Sequence, residues 1–307
     1  MSYNSWGVPW KGRKSRLAEK IINTIPRANN FFDLFAGGCA ISHCAFVSKK
    51  YNKIICNDIS GSSEFMNTET NPVVTGEWRR FVDRKEFFES DKIWIKNIYS
   101  FGNNLKSYIY GSNFENAKRD WHEFIVANKA ITTPTQGVNL FLQMRGKWPR
   151  SGEPSAKDKY EFTQRTKQYN LQHIAFLEHL QRLQSFEHLP KNANITILKT
   201  DYKNAANAAK AGDVIYCDPP YLKTSGYLHE FNFDEFKEQL KIWSKKEIAV
   251  FVSEYTNYFG LHEIFNIKKA AMKGRATNST NWRNEKLFCN DIAREMISKQ
   301  NFLFADW

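Results

Sequence analysis

Five short apolar runs punctuate the chain: Phe31–Phe35, Lys53–Cys56, Ile195–Leu198, Val214–Cys217 and Ile248–Ser253. Their β-branched and aromatic content predicts buried strands. Helical periodicity alternates with several of them. Ala40–Lys49 follows the first run, and Leu171–Leu189 places Ile174, Leu177, Leu180, Leu183 and Phe186 on one stripe. His173 and His179 fall off that stripe and read as solvent-facing residues rather than ligands. Asn232 followed by Glu235 resembles a capping box, opening a helix that turns Phe236, Leu240 and Trp243 inward. Alternating strands and helices predict an α/β fold built on a mostly parallel, doubly wound sheet.

From about Thr75 to Asn170 the alternation stops. This stretch is rich in Trp, Lys, Asn and aromatic residues and carries no clear buried strand. It reads as a largely helical insertion, so the expected organisation is one domain from residues 1–74 and 171–307 with residues 75–170 inserted into it. Within the insertion, Arg145-Gly146-Lys147-Trp148-Pro149-Arg150-Ser151-Gly152 looks like a basic loop around an aromatic ring. Such a loop suits phosphate contact and wedging against bases, and equally suits a plain solvated connection.

Charge sharpens this picture. The 307 residues carry 44 Lys+Arg against 32 Asp+Glu, a net +12. A polyanionic partner follows, nucleic acid or an anionic membrane surface. Residues 1–30 hold six basic residues against one acid, and residues 101–170 hold eleven against six. Hydrophobic residues at 42% and charged residues at 25% are ordinary for a globular protein and exclude wholesale disorder. The five cysteines (39, 44, 56, 217 and 289) include no Cys-x-x-Cys pair, which points to buried reduced thiols and no metal site. The first residues lack an apolar signal core and no run is long enough to span a bilayer, so a cytoplasmic protein is expected.

Candidate chemistry gathers at the ends of the predicted strands. Asp218-Pro219-Pro220-Tyr221 follows Val214–Cys217 directly, and its two prolines end the strand because neither can donate a ladder hydrogen bond. An acid, a rigid turn and an aromatic ring thus meet at the carboxyl end of a strand, where open α/β sheets bind ligands. The tetrapeptide suits a planar base held by its amino group, and it also suits an ordinary strand-ending turn. The first strand runs into Asp33-Leu34-Phe35-Ala36-Gly37-Gly38-Cys39, a loop through which backbone can approach a ligand. Asp58 ends the second strand about twenty residues on, placed to accept from ribose hydroxyls. The Gly-x-Gly-x-x-Gly spacing of nicotinamide enzymes is absent, which favours a nucleoside cofactor without a pyrophosphate.

Together these elements resemble the Dam-type DNA adenine methyltransferases, the class with its target-recognition insertion ahead of the Asp-Pro-Pro-Tyr motif. Trp10-Lys11-Gly12-Arg13-Lys14 looks like that family's N-terminal Trp-x-Gly-x-Lys element. Asp33 to Cys39 resembles its glycine loop, Asn57-Asp58-Ile59 its ribose-binding acid, and Asp201-Tyr202 the acid–aromatic pair before the catalytic strand. Gly226-Tyr227, Phe231-x-Phe233-x-x-Phe236, Phe251–Tyr255 and Glu285–Phe288 complete the order. The insertion matches poorly. Two departures stand out: Arg13 replaces the commoner second Gly of the N-terminal element, and Cys39 stands where the family usually has a third loop Gly. A wider loop or an ordinary backbone torsion is expected at Cys39.

The resemblance implies a class I S-adenosylmethionine-dependent methyltransferase with a Rossmann-like sheet. It implies methyl transfer from S-adenosylmethionine to adenine N6 in double-stranded DNA after base flipping, leaving S-adenosylhomocysteine. The implied cofactor residues are Trp10, Lys14, Asp33, Phe35, Gly37, Asp58, Ile59, Asp201, Tyr202 and Asp218. Asp218, Pro219, Pro220 and Tyr221 form the implied catalytic set, with Asp218 and the Pro219 carbonyl accepting from the amino group and Tyr221 stacking on the base. Arg145, Lys147, Arg150, Tyr227, Lys273, Arg275 and Arg283 are the expected DNA contacts. A monomer, a bacterial host cytoplasm and a restriction endonuclease partner are further expectations. Cytosine N4 methylation, an RNA substrate and a catalytically silent DNA-binding paralogue are the rival readings.

Overall fold

The computed structural model describes residues 6–8, 10, 12–67, 71–72, 75–112, 115–125, 194–221, 231–270 and 282–304. The chain divides into two compact units, Met1–Arg13 with Asn67–Lys191, and Lys14–Met66 with Asn192–Trp307.

The second unit is built on a seven-stranded sheet. Its strands are β1 (Ala28–Asp33), β2 (Tyr51–Asn57), β3 (Ile195–Leu198), β4 (Val214–Cys217), β5 (Ala249–Glu254), β6 (His262–Ala270) and β7 (Trp282–Cys289). Their spatial order is β3-β2-β1-β4-β5-β7-β6. The first five lie parallel, while β7 runs antiparallel to both β5 and β6. Consecutive strands step one way from β1 to β3 and the other way from β4, so the switch in strand order falls between β1 and β4. At that crevice, beyond the carboxyl ends, doubly wound sheets take their ligands.

Sequence and structure agree most closely where an apolar run is bounded by a breaker. β3 and β4 occupy the predicted residues, and β4 stops at Cys217 as the prolines require. β1 starts earlier and ends at Asp33, two residues before the predicted limit, because Leu34 to Cys39 turns toward the helix that begins at Ala40. The helices of this unit are α1 (Ala18–Thr24), α2 (Ala40–Ser48), α6 (Tyr202–Ala205), α7 (Phe233–Lys245) and α8 (Asp291–Phe304). The Asn232 side chain accepts from the Glu235 N–H at 3.0 Å and caps α7, whose Phe236, Leu240 and Trp243 are buried as their spacing predicts. These side chains join Phe32, Ile215, Val250 and Val252 in one core under the sheet. Each such side chain contributes roughly 1.5–3 kcal/mol on full burial.

The antiparallel pair β6 and β7 was not among the predicted strands. β7 reads Trp-Arg-Asn-Glu-Lys-Leu-Phe-Cys, with charged and polar residues in its first half, and β6 is an edge strand whose charged residues interrupt its apolar ones. Tertiary pairing overrides that weak local signal.

Within the first unit, the described residues form helices α3 (Arg84–Glu89), α4 (Ile93–Ile98) and α5 (Glu115–Ile125), two short 3-10 turns at Glu77–Arg79 and Phe101–Asn103, and one isolated bridge from Ser100 to Tyr108. Asp83 caps α3 by accepting from the Glu86 N–H at 2.8 Å. Aromatic side chains form the core here: Phe81 stacks on Tyr110, and the Tyr99 and Tyr108 hydroxyls donate to the Arg80 and Val82 carbonyls. The predicted helix Leu171–Leu189 lies outside the described residues.

Candidate active site

Four acids project from the carboxyl edge of the parallel strands: Asp33 from β1, Asp58 after β2, Asp201 after β3 and Asp218 after β4. A strand run that ends in a turn leaves its next side chain at this edge, so the placement follows from the local sequence.

Asn57 sets the spacing of the first three. Its side-chain amide donates to the Leu34 carbonyl at 3.0 Å and to the Thr200 carbonyl at 3.1 Å, while its oxygen accepts from the Thr200 N–H at 3.1 Å. One buried amide therefore ties together the ends of β1, β2 and β3. Asp58 accepts from the Gly37 N–H at 2.8 Å and from the Ser60 N–H and hydroxyl at 2.9 and 2.5 Å. The glycine loop and the second acid thus form one hydrogen-bonded unit. Gly37 has φ 49, a left-handed torsion that glycine adopts freely. Ile59 follows Asp58 with about half its surface open.

Cys39 departs from the expectation of an ordinary torsion. It has φ 59 and ψ 24 at the N-cap of α2, so the left-handed conformation persists without glycine. The cost is roughly 1–2 kcal/mol. Its buried thiol donates to the Ser62 carbonyl at 3.3 Å and lies 3.9 Å from the Cys56 sulfur. Cys39 offers α2 no side-chain cap, and Asp33 supplies one instead. Asp33 Oδ2 accepts from the Ser42 N–H at 3.1 Å and from its hydroxyl at 2.6 Å. Its other oxygen, Oδ1, is buried without a hydrogen-bond partner among the described residues. Burial pushes the Asp33 carboxyl up to about 7, helped by Asp218 and Asp58 and opposed by the Ser42 bonds.

Asp201 caps α6, accepting from the Lys203 N–H at 2.8 Å. Tyr202 turns its ring into an aromatic cluster with Phe35, Phe231, Phe236 and Trp243. Its hydroxyl is buried without a hydrogen-bond partner among the described residues. Phe35 and Tyr202 thereby back the loop from the core side.

The densest electrostatics lie at Asp218. Lys14, 4% exposed, places its ammonium 2.7 Å from both Asp218 oxygens and 3.3 Å from Glu285 Oε1. Glu285 projects from β7, is 2% exposed, and accepts a short hydrogen bond from the Tyr221 hydroxyl. The Lys14 ammonium also lies 4.7 Å from the Tyr221 ring centroid, and the Tyr255 ring packs perpendicular to Tyr221 at 4.4 Å. Burial works against the Lys14 charge, but Asp218 and Glu285 outweigh it and keep the amine protonated well above the ordinary lysine range. Burial raises the Asp218 carboxyl, and Lys14 draws it back. Tyr221 is held as a neutral phenol by burial, reinforced by the two carboxylates. Behind the site, the Tyr216 hydroxyl and Ser253 share a 2.8 Å hydrogen bond.

Of the residues expected from sequence, Lys14, Asp33, Gly37, Asp58, Asp201, Asp218 and Tyr221 meet along this one edge. Trp10 belongs to the other unit, where it is half-buried and its carbonyl accepts from the Arg13 N–H at 3.2 Å. Arg145, Lys147, Arg150, Tyr227, Lys273 and Arg275 lie outside the described residues, as does the side chain of Arg283, whose backbone pairs with Lys269. The sequence assigns no individual role to Asn57 or Glu285. Asn57 is marked by being a polar residue beside a strand-end acid, whereas Glu285, between Asn284 and Lys286, carries no such mark.

A family model described as D12 class N6 adenine-specific DNA methyltransferase matches residues 10–287, and the chain belongs to that family. No curated protein matches it. The family fixes the reaction as methylation of adenine N6 in DNA, and S-adenosylmethionine is the methyl donor implied for it. Among the described residues no helix is long and apolar enough to cross a membrane.

Proposed function

We propose that this D12 class adenine methyltransferase binds S-adenosylmethionine along the edge formed by Asp33, Gly37, Asp58 and Ile59, and receives an extruded adenine at Asp218, Pro219 and Tyr221. The residues fit such a cofactor. Asp58 is fixed by three hydrogen bonds and faces as an acceptor suited to ribose hydroxyls. Ile59 offers an exposed apolar surface for a flat base, and Asp33 Oδ1 is a buried acceptor with capacity to spare. Lys14 completes the cofactor set within this unit, with Phe35 and Tyr202 supporting the loop from behind.

When bound, the cofactor supplies a methyl group on a positively charged sulfur. The work of the chain's residues is to make the adenine amino group a competent nucleophile, since its lone pair is delocalised into the ring. Asp218 and the Pro219 carbonyl accept its two N–H bonds, which favours a pyramidal nitrogen and stabilises positive charge growing on it. The rigid Pro219-Pro220 turn holds both acceptors in place, so alignment is set before the reaction. Tyr221 stacks on the base and offsets part of the few kcal/mol that unstacking costs. No covalent enzyme intermediate is required, and Cys217, fully buried on β4, stays a core residue.

The observation that carries this reading is the buried ionic setting of Asp218 at the end of β4, beside the Tyr221 ring. Asp218→Ala tests it. Transfer of labelled methyl to mixed-sequence DNA should fall by roughly 10²–10³-fold, the scale of a lost electrostatic contact in a reaction of this kind, with DNA affinity within threefold of the wild type. Near-normal turnover would overturn the assignment. For the recognition of DNA, the basic segments at Arg145, Lys147, Arg150, Lys273, Arg275 and Arg283, with Tyr227, are the proposed contacts. The net +12 supports that reading.

A further inference from the structure

We propose that Glu285 is a positioning residue for methyl transfer, setting the Tyr221 ring and the Lys14 ammonium from a single buried carboxylate. The inference rests on Asp218 and Tyr221 receiving the acceptor base.

Glu285 sits on β7, whose neighbour β5 pairs with the strand that carries Asp218. Its carboxylate is a charge 2% exposed, and a position of that kind is more cheaply filled by an apolar side chain. Toward this site the carboxylate makes directed contacts with two different parts of it. One is to the Tyr221 hydroxyl, and the other is to the Lys14 Nζ at 3.3 Å. A ring free at its hydroxyl rocks about its Cα–Cβ and Cβ–Cγ bonds. A ring tethered at its far end and packed on Tyr255 presents a fixed plane. The plane matters because stacking fixes where the base's amino group falls relative to Asp218.

The Lys14 contact acts on the same geometry from the other side. The ammonium touches both oxygens of Asp218 and lies over the Tyr221 ring, so its place decides how much of each remains open to a base. Asp218 alone would hold it centred on the acceptor oxygens. Glu285 gives the ammonium a second seat, to which it shifts when the substrate amino group takes its place at Asp218, without leaving the ion pair. Glu285 thus supports an exchange of one N–H donor for another at Asp218 while Tyr221 stays in plane.

The test uses the full-length protein with labelled S-adenosylmethionine and mixed-sequence DNA, comparing Glu285→Gln, Tyr221→Phe, their combination and Asp218→Ala. Glu285→Gln retains an oxygen for the Tyr221 hydroxyl and loses the ion pair; Tyr221→Phe retains the ring and loses the hydroxyl's contacts with Glu285 and Asp218. Each should lower kcat by 10- to 100-fold with the KM for cofactor and DNA changed less than threefold. The double variant should be no more than threefold slower than the worse single one, because both act through one contact network. Normal kcat in Glu285→Gln and Tyr221→Phe, with Asp218→Ala inactive, would overturn the role of Glu285 and leave the acceptor site standing. Independent, multiplying losses would overturn it too. Activity in Asp218→Ala would instead remove the reading beneath it. Should Glu285→Gln fail to fold, Glu285→Met, an apolar side chain of similar length that removes both contacts, decides in its place by the same loss or retention of kcat.

Discussion

Replacing Lys14 with methionine removes the shared cation of the buried cluster while keeping a side chain of similar length. The ammonium it deletes lies 2.7 Å from both oxygens of Asp218 and 3.3 Å from Glu285. Two carboxylates, 17% and 2% exposed, would then share the space it leaves. Breaking a buried pair from one side costs about 3–5 kcal/mol, because the remaining charge loses its compensation. Melting temperature should drop by roughly 6–20 °C at pH 8, taking 2–4 °C per kcal/mol for a unit of this size. The pH dependence gives the sharper signature. Without Lys14 the Asp218 carboxyl, already raised by burial, rises further above its unfolded value near 4. Above about pH 4 the folded form then binds more protons than the unfolded one until Asp218 itself ionises, so stability falls as pH rises. The deficit against wild type should therefore shrink at pH 5. In the wild type the raised Lys14 pKa keeps its contribution intact through neutrality, to be lost only in strong alkali. Thermal unfolding followed by circular dichroism at pH 5 and pH 8 measures both effects. Adding Asp218→Asn to Lys14→Met should recover most of the loss at pH 8. A deficit under about 1 kcal/mol, or one that does not shrink in acid, would refute the idea that Lys14 is the counter-ion of this cluster.

Asp33 titrates near 7 because it is buried, and a raised acid binds its proton more tightly in the folded state. Stability should fall between about pH 4 and pH 7 by an amount on the order of 4 kcal/mol at most, then level off. Asp33→Asn, which retains an oxygen for Ser42, should flatten that part of the profile; urea midpoints that fall in parallel for both proteins would count against it. Cys39 pays for its left-handed torsion with strain, offset by its buried thiol contact. Cys39→Gly should stay within about 1 kcal/mol of wild type, while the β-branched Cys39→Val should lose roughly 2 kcal/mol or more. Equal melting temperatures for the two variants would mean that the torsion at residue 39 is not left-handed.

The parts of this molecule legible in its sequence are those whose cause is local. Val214–Cys217 ends where two prolines follow, and Asn232 caps the helix that its own neighbours build. Asp58 and Gly37, twenty-one residues apart, were recognisable as a pair because a strand–loop–helix–strand unit has few ways to close. The charge cluster has no such shortcut. Lys14 and Asp218 are separated by 204 residues, and Tyr221 and Glu285 by 64. Glu285 in particular is disguised, since a glutamate between Asn284 and Lys286 reads as the solvent-facing side of a strand. It is buried because β7 runs antiparallel beside β5, with Ser253 opposite Leu287 and Glu254 opposite Lys286. No periodicity in Trp282–Cys289 encodes that neighbour. The sheet order turns a polar strand inward, and the cost of burying its acid is met by the lysine and tyrosine that the remote ends of the chain bring to it. Local chemistry thus places the ligand-facing acids, and topology decides which of them acquire partners able to tune them.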